Sequence, residues 1–187
     1  IQYKRQRVRD HILNNLGSKS SSMLELNCGT GEDALFFAAQ GHEVHATDIS
    51  SGMLDVLRKK IQDNPLKNKI TIEECSFTQL EFLKRGTFDY VYSNFGGLNC
   101  TNELEKVLRS LDGLTNPGAV ITLVVISRFC LWETLLLFKG KFKTAFRRFF
   151  SNRGRRARVE GSFFKCWYYS PILIKKYLGD QFECIGI

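Results

Sequence analysis

Several features that would announce a function class are missing from this chain. Its six cysteines, Cys28, Cys75, Cys100, Cys130, Cys166 and Cys184, are scattered, with no C-x-x-C pair and no histidine at metal-ligand spacing. That argues against structural zinc and against a disulfide scaffold, and no metal is expected. Histidine is scarce, with only His11, His42 and His45 available as imidazole bases. No targeting segment is visible, and no internal repeat or low-complexity linker interrupts the 187 residues. The most apolar stretch, Ala119 to Phe138, is broken by Arg128 and Glu133, so it reads as a strand followed by a helix rather than as a membrane span. A reducing, cytoplasmic setting is expected. A first residue of Ile1 rather than methionine raises the expectation that the natural start lies upstream.

Acidic residues are absent from one long stretch. Between Lys139 and Arg158 lie Lys139, Lys141, Lys143, Arg147, Arg148, Arg153, Arg155, Arg156 and Arg158, and no acid. Without those nine of 27 basic residues the chain holds 18 against 19 acids, so the net charge of +8 belongs to one segment.

What is present fits one domain over residues 1–187, being 43% hydrophobic and 12% aromatic. Val8, Ile12, Leu13 and Leu16 recur at helical spacing, and Gly17 ends that helix. Strands are expected at Met23 to Leu26, Val44 to Thr47, Ile70 to Glu74, Phe88 to Ser93 and Ala119 to Ile126. Helical faces lie between them: Ala34, Leu35, Phe37 and Ala38; then Met53, Leu54, Leu57 and Ile61; then Leu104 through Leu114. Asn116, Pro117 and Gly118 read as the turn into the fifth strand. This alternation predicts an α/β fold, a doubly wound and mostly parallel sheet, with a basic helical insertion after the fifth strand. Ligand chemistry then gathers at the carboxyl ends of the strands.

The stretch from Met23 to Ala34 carries the chemistry. Gly29 and Gly31 let the backbone turn sharply and approach a ligand, and the following helix aims its free N–H groups at the same place. Asp48 ends the next strand, where a carboxylate can accept hydrogen bonds from both hydroxyls of a ribose. Gly29-x-Gly31-x-x-Ala34 also passes loosely as a dinucleotide fingerprint. Glu25 in the first strand, with Glu32 and Asp33 in the first helical turn, would repel a pyrophosphate and attract a cationic ligand.

These residues resemble the class I S-adenosylmethionine-dependent methyltransferases, nearest the type 11 and ubiquinone/menaquinone methyltransferase-like branch. Leu24 to Gly31 looks like the family's acid, apolar, G-x-G-x-G pattern, with Asn27 where the first glycine usually stands. His45 to Ser50 with Gly52 and Met53, Phe88 to Phe95, and Leu111 to Ala119 resemble further motifs. The resemblance implies a Rossmann-like methyltransferase fold, S-adenosylmethionine as cofactor and S-adenosylhomocysteine as product. It implies that Glu25 and Asn27, Cys28, Gly29, Thr30 and Gly31 line the methionine end, and that Asp48 holds the ribose. Ile49 and Met53 would pack the adenine, Ser76 and Phe77 would bound its edge, and Asn94 and Phe95 would lie between cofactor and substrate. Met53 fits a core-facing helical stripe equally well. The family sheet ends in an antiparallel hairpin, whereas here Phe182 to Ile187 reads as a sixth strand and the sequence stops. A continuation past Ile187, or an incomplete last hairpin, is expected.

No catalytic base is identified: His42 lies at the opposite edge, His45 is inside a strand, His11 is on the first helix, and Tyr168 and Tyr169 fit aromatic packing. Residues 1–128 are read as the cofactor-binding core, 129–169 as a basic lid or substrate segment, and 170–187 as a return to the sheet. Leu135, Leu136, Phe142, Phe146, Phe149 and Phe150 alternate with basic residues as in amphipathic helices, interrupted near Asn152 to Gly154. A small or lipid-like acceptor is expected, with an anionic membrane surface or RNA as further partners for 139–158, although no nucleic-acid motif is present. An NAD(P)-dependent oxidoreductase and a non-catalytic binding module are the rival functions.

Overall fold

The computed structural model describes residues 2–17, 19–84, 86–148, 154–159 and 162–187, so the expectations that fall on Phe149, Phe150, Asn152 and Arg153 lie outside the described residues. The chain forms two compact units, one of residues 1–95 and 110–124 and one of 96–109 and 125–187.

In the first unit, strands β1 (Ser22–Leu26), β2 (Glu43–Asp48), β3 (Ile70–Glu74), β4 (Phe88–Ser93) and β5 (Thr115–Leu123) pair in the order β3-β2-β1-β4-β5, all parallel. The central strand β1 buries Met23, Leu24, Glu25 and Leu26, as a strand covered on both faces must. Helix α1 (Gln2–Asn15) buries Ile12. Helix α2 (Glu32–Ala39) starts where Gly31 turns left-handed and buries Ala34, Phe37 and Ala38. Helix α3 (Ser51–Ile61) is capped by the Ser50 hydroxyl, which accepts from the Met53 N–H at 3.4 Å, and buries Leu54, Leu57 and Ile61. Ile12, Met23, Phe37, Leu54 and Tyr92 meet in one core. The architecture is the expected doubly wound α/β fold, and its strand order reverses direction between β1 and β4. In open sheets of this kind ligands are bound at the carboxyl ends beside such a reversal.

Three boundaries differ from expectation. The helix α4 (Leu104–Ser110) stops early, and Asp112–Leu114 tightens into a 3-10 turn. Strand β5 begins at Thr115, not Ala119. Thr115 pairs with Phe88 and Val120 with Tyr90, so Asn116 to Gly118 form a bulge within the strand, with Gly118 at φ 80, instead of a turn before it. Phe182 to Ile187 is not a sixth strand: it has no pairing partner among the described residues, and Glu183 through Ile187 are exposed. Without a neighbouring ladder, its backbone groups are left to water.

In the second unit the helical expectation holds only for short pieces, α5 (Leu131–Thr134), a 3-10 turn at Leu135–Lys139 and α6 (Phe142–Ala145). An unforeseen antiparallel hairpin follows, β6 (Arg155–Val159) with β7 (Ser162–Cys166), and then α7 (Pro171–Leu178), capped by Ser170. Among the described residues no helix is long and apolar enough to cross a membrane.

The fully buried Asn99 fastens this unit. Its Nδ2 donates to the carbonyls of Ile126 at 3.0 Å and Trp167 at 2.5 Å, and its Oδ1 accepts from the Ile126 N–H at 2.7 Å. The Tyr169 hydroxyl donates to the Thr101 carbonyl nearby. Asn99→Ala strands three backbone groups and is expected to cost about 2–4 kcal/mol in urea unfolding followed by tryptophan emission. A loss under about 0.5 kcal/mol would mean the network is dispensable.

Candidate functional site

The loop leaving β1 turns through three left-handed residues, Asn27 (φ 52), Gly29 (φ 56) and Gly31 (φ 74). Asparagine tolerates this conformation better than other side-chain-bearing residues, and here it also ties two strand ends together. Its Oδ1 accepts from the Ser93 hydroxyl at 2.7 Å and its Nδ2 donates to the Asn94 carbonyl at 3.2 Å. Cys28 N–H donates to the Thr47 carbonyl at 2.9 Å. Asp48 then clamps the loop: its Oδ2 accepts from Gly29 N–H at 2.8 Å and its Oδ1 from Ser50 N–H at 2.9 Å. Each carboxylate oxygen keeps lone-pair capacity for one further donor.

The charges around the loop differ from the sequence reading in one respect. Asp33 is not offered to a ligand: it is buried, and accepts from Arg9 Nε at 2.7 Å, from Asn94 Nδ2 at 2.9 Å and pairs with Arg5 at 3.3 Å. Glu32 pairs with Lys60, whose ammonium also donates to the Thr30 carbonyl at 2.9 Å. Both acids are therefore paired with cations of the chain itself, which leaves Glu25 as the acid without such a partner. Glu25 is 3% exposed, and its Oε2 and the hydroxyl of Tyr92 are buried without a hydrogen-bond partner of ordinary geometry. Burial first, and the charge of Asp33 second, push its carboxyl well above the usual range; Tyr92, Arg5 and the Ala34 backbone offset only part of this. Tyr92 was not among the expected site residues, although it is the partner of Glu25 in the β1–β4 register. Arg5 and Arg9, four residues apart on α1, were also unforeseen.

The remaining expected residues surround the same strand ends within this unit. Ile49 is 69% exposed and Met53 45%, whereas Leu54 and Leu57 beside them are fully buried. Met53 is thus not a core residue, and the core-facing alternative for it fails. Ser76 caps the turn after β3, accepting from Thr78 N–H at 3.3 Å, and Phe77 follows it, half-buried. Asn94 is buried, its Oδ1 accepting from Phe95 N–H at 2.8 Å. Phe95 holds a left-handed backbone (φ 54), a costly conformation for an aromatic residue, with Arg5 4.5 Å over its ring. Burial lifts the Cys28 thiol far above its ordinary value, so it is no nucleophile.

Bases are not drawn to this place. His45 is bonded to Thr71 at 2.9 Å and Glu73 at 3.1 Å inside the sheet and stacks on Phe88. His42 precedes β2 at the far edge, where it accepts from Ser21 N–H at 3.3 Å, and His11 is exposed on α1. Among the described residues no group of three or more His, Cys, Asp or Glu could hold a metal ion.

In the second unit part of the basic segment is already engaged. Glu133, buried, accepts from Arg147 Nε at 2.8 Å and from Arg148 at 2.7 Å, which holds its carboxyl down at about 2. Arg148 lies 5.1 Å over Tyr168 and Arg156 4.0 Å over Phe163.

Comparison with known proteins agrees with this geometry. A family model described as a methyltransferase domain matches residues 23–118, about half of the chain. A demethylmenaquinone methyltransferase of Symbiobacterium thermophilum is 29% identical over 127 residues, covering 61% of this chain and 50% of that protein. An S-adenosyl-L-methionine-dependent Diels-Alderase of Talaromyces variabilis is 30% identical over 109 residues, covering 58% of this chain and 37% of that protein. Among solved structures, the CcbJ methyltransferase of Streptomyces caelestis is 31% identical with a TM-score of 0.53, covering 56% of this chain and 42% of that one. The chain spans half or less of the length of the two curated relatives named here. The glycine loop, the acid ending β2 and the parallel sheet that brings them together place the chain in the family of class I S-adenosylmethionine-dependent methyltransferases.

Proposed function

We propose that the chain binds S-adenosylmethionine at the carboxyl ends of β1 to β4 and directs its methyl group to a small or amphiphilic, lipid-like acceptor in a cytoplasmic setting. The observation that carries this reading is the buried, unpartnered Glu25 Oε2 two residues before the glycine loop, a position suited to a cationic ammonium group. Asp48 would take the ribose hydroxyls with its spare lone pairs. The exposed Ile49 and Met53 offer an apolar surface to the adenine, and Ser76 and Phe77 bound its edge. Asn94 and Phe95 would stand between cofactor and acceptor. The demethylmenaquinone methyltransferase relative supports the lipid-like acceptor.

When bound, the cofactor supplies a methyl group made electrophilic by its sulfonium. The chain's part is to position and to exclude water. Asn27 and Asp48 fix the loop, and Asn94, held by Asp33, fixes the end of β4. With no imidazole at the strand ends, an acceptor that is already nucleophilic, or that loses its proton to water, suits the site best.

The raised pKa of Glu25 gives a test. Its carboxyl holds a proton in the folded chain above the pH at which the unfolded chain has released it, so burial costs stability as pH rises past the ordinary carboxylate range. An ammonium group beside Glu25 lowers that pKa again, so binding releases a proton and strengthens as pH rises through the raised value. Calorimetric titration with S-adenosylhomocysteine should give different heats in two buffers of unlike ionisation enthalpy, and Glu25→Gln should remove the difference. Equal heats for the unaltered protein would overturn the ammonium assignment, and tighter binding of NAD would overturn the cofactor.

A further inference from the structure

A second surface lies within residues 125–187, outside the unit that carries the glycine loop and Asp48. Among the described residues, seven of the 18 exposed large apolar side chains fall between Phe129 and Phe146. The most exposed are Leu131 at 63%, Trp132 at 75%, Phe138 at 89% and Phe142 at 62%. Singly exposed apolar residues need no explanation, but this density in one short stretch does. Lys139, Lys141 and Lys143 are exposed among them. Glu133 is the one acid between Arg128 and Val159, and it is buried under Arg147 and Arg148. Among the described residues, the exposed surface of this stretch is therefore apolar and positive, its own one acid being buried.

We propose that residues 129–146 form a docking surface for an anionic lipid bilayer, with Leu131, Trp132, Phe138 and Phe142 entering the headgroup boundary and the three lysines pairing with lipid phosphates and carboxylates. Short helical pieces, an indole and lysines on a stretch whose one acid is buried are the chemistry of an interfacial anchor. Lipid fits better than RNA for two reasons. Arg147 and Arg148, two of the guanidinium groups suited to phosphate forks and base stacking, are held by Glu133, and Arg156 lies on Phe163. Leu131 and Leu135, 63% and 43% exposed, gain from hydrocarbon and have no π-face to offer a base. The surface is independent of the cofactor reading, because it is measured without cofactor.

The test is co-sedimentation of the whole chain with vesicles of phosphatidylcholine plus phosphatidylserine, beside phosphatidylcholine alone and polyuridylic acid. The mixed vesicles should bind the chain at least about tenfold better than neutral ones, since each lysine near an anionic surface is worth about fivefold. Trp132 emission should shift to the blue, and salt should weaken binding. K139E with K141E and K143E should lose about 100-fold by the same reckoning, and W132A with F138A should also release the chain; these residues are exposed, so folding should be unaffected and is checked by circular dichroism. Failure to bind mixed vesicles, equal binding to neutral vesicles, polyuridylic acid binding that W132A with F138A leaves unchanged, or burial of Trp132 in a dimer seen by sedimentation velocity would each overturn the proposal.

Discussion

Asp48→Ala is expected to weaken S-adenosylhomocysteine binding by about 100-fold or more, a loss on the order of 3 kcal/mol. Two effects add. The carboxylate that would receive the ribose hydroxyls disappears, and the N–H groups of Gly29 and Ser50 lose the acceptors they reach at 2.8 and 2.9 Å. The second effect matters because it loosens the loop itself. Asp48→Asn should therefore recover only part of the affinity, since its one carbonyl oxygen can serve one of the two backbone donors. A calorimetric titration in which Asp48→Ala binds within about threefold of the unaltered chain would remove Asp48 from the site.

Gly31→Ala should cost stability on the same scale as the loss of Asn99. A β-carbon there would lie 2.2 Å from Leu57 Cδ1 and 2.7 Å from Cδ2, and the backbone sits at φ 74. Leu57 is fully buried, so moving it aside disturbs the core. Overpacking costs about 1–3 kcal/mol, and the left-handed backbone adds about 1 kcal/mol for a residue with a β-carbon. A total of about 2–4 kcal/mol is expected in urea unfolding. The steric part is separable. In Gly31→Ala with Leu57→Ala the new methyl occupies space vacated by leucine, so the double variant should lose less than the sum of the two singles by about 1–2 kcal/mol. Strict additivity would show that the conformational cost alone forbids a side chain at this position.

The strands β1 to β4 and the two helices joining β1 to β3 were legible because each alternates with its neighbour at a clear period. The chemistry of the loop was legible for the same reason: glycine, acid and strand end follow one another along the chain. What the sequence hid are relations across it. Arg9 and Asp33 are 24 residues apart and Lys60 and Glu32 are 28 apart, so two acids that looked available to a ligand are in fact neutralised. Met53 and Leu54 are adjacent apolar residues at the head of one helix; which of them faces the core depends on a rotation that one turn of sequence does not fix. The pairing of Glu25 with Tyr92 needed the register of β1 against β4. In the second unit the Arg155–Val159 stretch read as a charge run, which masked the alternation of a strand, and the hairpin went unseen. Glu133 was noticed only as an interruption of an apolar run, although it gathers two arginines of the basic segment.

In the proposed arrangement one cofactor lies across the ends of β1, β2, β3 and β4, held by Glu25, the loop and Asp48. A co-structure with S-adenosylhomocysteine would show it. The expected result has both ribose hydroxyls within about 3 Å of the Asp48 carboxylate, the amino group against Glu25 and the adenine between Met53, Ile49 and Phe77. Ligand bound with its ribose away from Asp48, or its amino group away from Glu25, would overturn this arrangement.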